Sequence, residues 1–114
     1  MYLSYAKIRM TFGEGWAGNG FAHEWALCMM DSVCKKTEDF RKPDFKKYGK
    51  NWLLIYDNWY IPPVDTGMKH LMAELNSYWH QKNRYDGVLI DTGNQLVTIH
   101  PRKWNQQPIV DLWV

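Results

Sequence analysis

Trp52-Leu53-Leu54-Ile55-Tyr56-Asp57-Asn58 returns later in the chain as Gly87-Val88-Leu89-Ile90-Asp91-Thr92-Gly93-Asn94. Each copy is a short apolar run that stops at an aspartate and a turn. Between them Met68, Leu71, Met72, Leu75, Tyr78 and Trp79 recur at offsets of 3, 4, 7, 10 and 11, the period of an amphipathic helix. The order is that of a strand, a crossover helix and a second strand. The two runs are expected to be parallel neighbours, buried on both faces. Such neighbours bring Asp57 and Asp91 to one edge of the sheet, where α/β proteins place their sites.

The flanking sequence extends this unit. From Tyr2 to Phe12 residues alternate, with Ala6, Ile8, Met10 and Phe12 on one face and Tyr5, Lys7, Arg9 and Thr11 on the other. That is a half-buried strand. Residues Gly13 to Gly20 include four glycines, too many for regular structure. A helix is expected from about Phe21 to Lys36, with Phe21, Trp25, Cys28, Met29, Ser32 and Val33 on one stripe. Leu27 and Met30 make its sides apolar too, so it should be well buried. Lys35 to Lys50 reads as a charged, mobile connector broken by Pro43 and Gly49. After Pro62-Pro63, Asp65 or Thr66 is the expected cap of the second helix. Thr92-Gly93-Asn94 is hairpin-turn chemistry, and Leu96, Val97 and Ile99 form the return strand up to Pro101. Pro108 to Val114 adds a last edge strand or docks Trp113. The reading is an α/β (α+β) fold in β-α-β-α-β-β order. It is a single domain over residues 1–114, a mixed sheet with two helices packed on it in two or three layers.

Composition narrows the class of function. The chain has 114 residues, 46% of them hydrophobic, which suits one core and argues against disorder. A net charge of +2 with interspersed signs is too small for a dedicated nucleic-acid binder. No stretch has the length and apolarity of a membrane span, and no basic-then-apolar leader opens the chain. Cys28 and Cys34 point in different directions from one helix, so free thiols and a cytoplasmic location are expected. Seven tryptophans and seven tyrosines exceed what such a core needs, which favours a binding face.

Motifs for catalysis are incomplete. Gly13-Glu14-Gly15-Trp16-Ala17-Gly18 spells G-x-G-x-x-G between a strand and a helix. The strand before it alternates, however, and no acidic residue closes a second strand at the ribose-binding distance. No cofactor is expected. Asp57 and Asp91 are the candidates for a Mg²⁺ pair, or else ordinary Asx-turn residues. His23-Glu24 opens like a zincin motif but has Leu27 where the second histidine belongs. His70 and Glu74 share a helix face. Cys28 lies on the apolar stripe, where a thiol is inert packing. Cations and aromatics are interleaved at Tyr5, Lys7 and Arg9, at Lys46, Lys47 and Lys50, and at Arg102-Lys103-Trp104. Such clusters grip phosphates, stack bases or meet an acidic protein patch.

Residues from about Phe45 to Trp104 resemble the C-terminal half of small bacterial proteins related to the restriction-endonuclease-like fold. The resemblance lies in Asn51-Trp52-Leu53-Leu54-Ile55-Tyr56-Asp57-Asn58 and in Tyr85-Asp86-Gly87-Val88-Leu89-Ile90-Asp91. The catalytic hairpin of that fold, Pro-Asp followed by Asp/Glu-x-Lys, has no counterpart, so the resemblance implies architecture without nuclease activity. The overall profile is also similar to that of bacterial toxin-immunity proteins. The expected function is therefore a small non-enzymatic protein-binding protein, an immunity or antitoxin-type neutraliser of a partner such as a toxin domain. Nucleic acid and membrane are not expected partners. Trp16, Trp59, Tyr60, Arg102, Lys103 and Trp104 are the expected interface residues, aromatic anchors with a cationic rim. The alternative is a metal-dependent nuclease or phosphoesterase built on Asp57 and Asp91.

Overall fold

The computed structural model describes residues 2–8, 19–45, 49–57 and 64–109. Strand β1 (Tyr2–Ile8) leads to helix α1 (Asn19–Thr37), and β2 (Asn51–Asp57) to α2 (Val64–Leu75). Strands β3 (Gly87–Asp91), β4 (Gln95–His100) and β5 (Lys103–Pro108) complete the chain's order. The sheet is five-stranded, in the order β1-β2-β3-β4-β5. β1, β2 and β3 are parallel, and β4 and β5 are added antiparallel by hairpins. The α/β class, the mixed sheet and the two packed helices are as the sequence suggests. An additional edge strand lies at Lys103–Pro108; residues 110–114 of the terminal segment fall outside the described ones.

Two crossovers of the usual right hand, each stepping one strand the same way, deliver their helices to the same face. α1 and α2 accordingly pack against each other and against one side of the sheet. The fold therefore has two layers. The core is formed by Leu53, Ile55, Val88, Ile90, Val97 and Ile99 from the strands, with Trp25, Met29 and Val33 from α1 and Met68, Leu71 and Leu75 from α2. The in-between residues Trp52, Leu54, Leu89 and Leu96 are only half-buried. Among the described residues, the helices cover the two apolar runs on one face alone, because both occupy the same side.

Register is fixed at the ends of the strands. Asn51 N–H donates to Asp86 Oδ2 at 2.7 Å, and Asp86 N–H donates to Asn51 O at 2.7 Å. This reciprocal pair clamps the start of β2 to the residue before β3.

Four local expectations change. Leu27 is 45% exposed, since α1 buries one stripe and its flank faces outward. The Lys35–Lys50 connector is anchored. A 3₁₀ turn at Glu38–Arg41 inserts Phe40 into the core, where its ring lies 4.7 Å from Phe45 and 5.0 Å from Tyr85. Asp65 and Thr66 lie inside the first turn of α2, which begins at Val64. Finally, α2 ends at Leu75, and Tyr78 and Trp79 belong to a separate 3₁₀ turn, Tyr78–His80. The break lets the Tyr78 hydroxyl reach Thr37 Oγ1 at 2.7 Å and accept the Tyr85 N–H at 2.9 Å. A continuous helix would not present it to both.

Candidate functional site

At the C-terminal edge of the parallel strands, Tyr56 pairs with Asp91. Asp57 therefore sits one residue beyond its neighbour's aspartate, and a one-residue offset in a period-two strand reverses the face. Asp57 joins Leu53 and Ile55 on the helix side and is buried. Asp91 follows Leu89 on the opposite side. The two carboxylates share an edge but are not brought together. Each has a structural partner. Trp25 Nε1–H donates to Asp57 Oδ2 at 2.8 Å within the core, and Gly93 N–H donates to Asp91 Oδ1 at 2.8 Å in the hairpin turn. Among the described residues, no three His, Cys, Asp or Glu side chains are grouped to hold a metal ion.

The other chemical candidates are likewise dispersed. The His70 ring meets His23 of α1 edge to face, with centroids 5.1 Å apart. Both cysteines are free. Burial pushes the Cys28 thiol above its ordinary value, and Glu24, Asp31 and Asp57 push it further. Burial also raises Cys34, reinforced by Asp31, Glu38 and Glu74. An activated nucleophile needs the opposite shift.

What the fold does present is the sheet face away from the helices. Trp52, Leu54 and Tyr56 of β2 lie beside Gly87, Leu89 and Asp91 of β3, and Leu96, Thr98 and His100 of β4 continue the surface. A Cβ at Gly87 would overlap the six-membered ring of Trp52. The absence of that side chain lets the indole lie across β3 and meet the His100 ring at 5.3 Å and 85°. Tyr56 is 39% exposed at the far end. No described element covers this surface, and parallel neighbours are ordinarily covered on both sides.

The basic-aromatic cluster divides. Trp104 pairs with Ile99 and packs half-buried against the core. Lys103 is exposed opposite His100. Arg102 occupies the β4–β5 turn with φ +74°, a left-handed conformation that costs a side-chain-bearing residue about 1 kcal/mol or more. Trp16, Trp59 and Tyr60, with Lys46 and Lys47, lie outside the described residues.

Sequence reasoning missed that Trp52, Leu54 and Tyr56 turn away from the helices, because it assigned both faces of β2 to the core. The signal was present in the helix count: two crossovers of one hand, stepping the same way, cover one face only. No family model, curated protein or solved structure matches the chain. No helix among the described residues is long and apolar enough to cross a membrane.

Proposed function

We propose that this chain is a small non-enzymatic protein-binding protein of the immunity or antitoxin kind. It neutralises a partner protein by covering that partner's working surface. The observation that carries this reading is the sheet face away from the helices, where no described element packs over the half-buried Trp52, Leu54, Leu89 and Leu96 or the partly exposed Tyr56. A contiguous surface of aromatic and aliphatic side chains with a polar border is the composition of a recognition surface. The divergence of Asp57 and Asp91 onto opposite faces weighs against the metal-dependent nuclease alternative, which needs both carboxylates on one cation.

Titration calorimetry against the protein encoded by the neighbouring gene tests the proposal. Binding is expected with a Kd below about 1 μM. Leu54→Asp and Tyr56→Ser should weaken it at least tenfold, with circular dichroism unchanged. Absence of binding, together with Mg²⁺-dependent nucleic-acid cleavage that Asp57→Asn abolishes, would overturn it.

A further inference from the structure

At the opposite edge of the sheet, a cleft of about 420 Å³ lies between the Tyr78–His80 turn and the β4–β5 hairpin. It is lined by Asn76, Trp79, His80, Arg84, Pro101 and Arg102. Two arginines and a histidine line it, and none of its described walls is a carboxylate. The wall is rigid. Arg84 Nε donates to Trp79 O at 3.0 Å, its Nη1 donates to Tyr85 O at 2.9 Å, and the guanidinium stacks over the Trp79 ring at 5.5 Å. A guanidinium has further donors beyond these two.

The same indole carries an unexplained group. Trp79 Nε1 is buried and meets no acceptor. A buried donor normally has a partner, and leaving one without is costly. Across the cleft, Arg102 is held at φ +74°, a turn position that glycine usually fills. The described lining is thus dominated by cations, with Arg84 and Arg102 on opposite walls. We propose that this cleft binds the phosphoryl group of a small phosphate monoester, with Arg84 and Arg102 as its charge partners and the indole of Trp79, against which the Arg84 guanidinium stacks, as the reporter of its arrival. Arginine matches phosphate oxygens bidentately. The volume leaves room for the ester's organic part. This assignment does not depend on the sheet face opposite the helices.

Indole ¹⁵N–¹H NMR tests it on the intact protein at low ionic strength, with the Trp79 resonance assigned by its loss in Trp79→Phe. Inorganic phosphate, phenyl phosphate and acetate are the probes. A saturable shift of the Trp79 indole with phosphate, and a much weaker one with acetate, is the expected result. Tighter binding of phenyl phosphate identifies an ester as the ligand, and equal binding identifies free phosphate. Arg102→Gly separates binding from folding. It relieves the left-handed strain and should raise Tm, yet it should weaken phosphate binding tenfold or more. A Trp79 indole unmoved by 10 mM phosphate, an equal response to acetate, or unchanged affinity in Arg102→Gly would each overturn the assignment.

Discussion

The buried contact between Trp25 and Asp57 ties the first helix to the end of the second strand, and its cost of removal can be stated. Asp57→Ala leaves the Trp25 N–H in the core without its acceptor, so about 1–3 kcal/mol of stability should be lost in urea denaturation. Asp57→Asn retains an acceptor and should lose less. A loss equal to that of the alanine variant would refute a hydrogen-bonding role. Gly67 tests the other side of the same indole, because a Cβ there would overlap the Trp25 ring. Glycine to alanine within a helix ordinarily gains up to about 1 kcal/mol. Here overpacking of about 1–3 kcal/mol should reverse the sign. Denaturation midpoints of Gly67→Ala and the parent decide it. The thiols offer a residue-scale test of reactivity. Raised by burial and by nearby carboxylates, Cys28 and Cys34 should alkylate with iodoacetamide more slowly at pH 7.5 than a model peptide thiol does.

Elements were legible wherever one periodicity ran long enough to exclude the other. Val88 to Ile90 and Trp52 to Tyr56 are apolar runs bounded by turns, and Met68 to Leu75 keeps its helical offsets, so the βαβ unit could be read directly. The orientation of Asp57 against Asp91 could not. It depends on a one-residue difference in register between β2 and β3, set by the Asn51–Asp86 pair at the far end of the strands. The cleft was illegible for a related reason. Its walls come from Trp79 and Arg84 on one side and Arg102 on the other, joined only by the hairpin's return. Phe40 was missed because a single aromatic in a charged stretch has no period. Its burial nevertheless makes the connector a structural element. Phe40→Ala should cost about 3–5 kcal/mol, which calorimetric unfolding would read as a large fall in Tm. A fall of a degree or less would mean that the 3₁₀ turn is not docked in solution.

For the molecule as a whole, the titrating groups that folding perturbs act mainly in one direction. Cys28, Cys34 and Tyr78 are all raised, each first by burial. A group whose folded pKa lies above its unfolded value holds its proton longer in the native state. Its stabilisation is complete below the unfolded pKa and is lost as pH rises through the folded one. Unfolded thiols titrate at about pH 8.5 and tyrosine at about pH 10. Stability should therefore be flat around neutrality and decline from about pH 8.5 upward. Lys35 and Lys42 are raised by Asp31 and Asp39, which adds to the same trend. At the acid end, Asp39 is lowered by its bond to Lys42. Its stabilisation is present above the unfolded carboxylate value and fades as pH falls through the folded one. That ion pair is solvent-exposed on the lysine side, so its contribution is small. Melting curves between pH 6 and pH 11 should fall on the alkaline side, and Cys28→Ala should flatten the first part of the fall. Tyr78 reports separately, through the rise in absorbance that accompanies phenolate formation. Its hydroxyl is bonded to Thr37 and to the Tyr85 amide, so one tyrosine should ionise only as the fold is lost. A melting temperature unchanged to pH 11, with every tyrosine titrating before unfolding, would contradict the burial from which the alkaline decline follows.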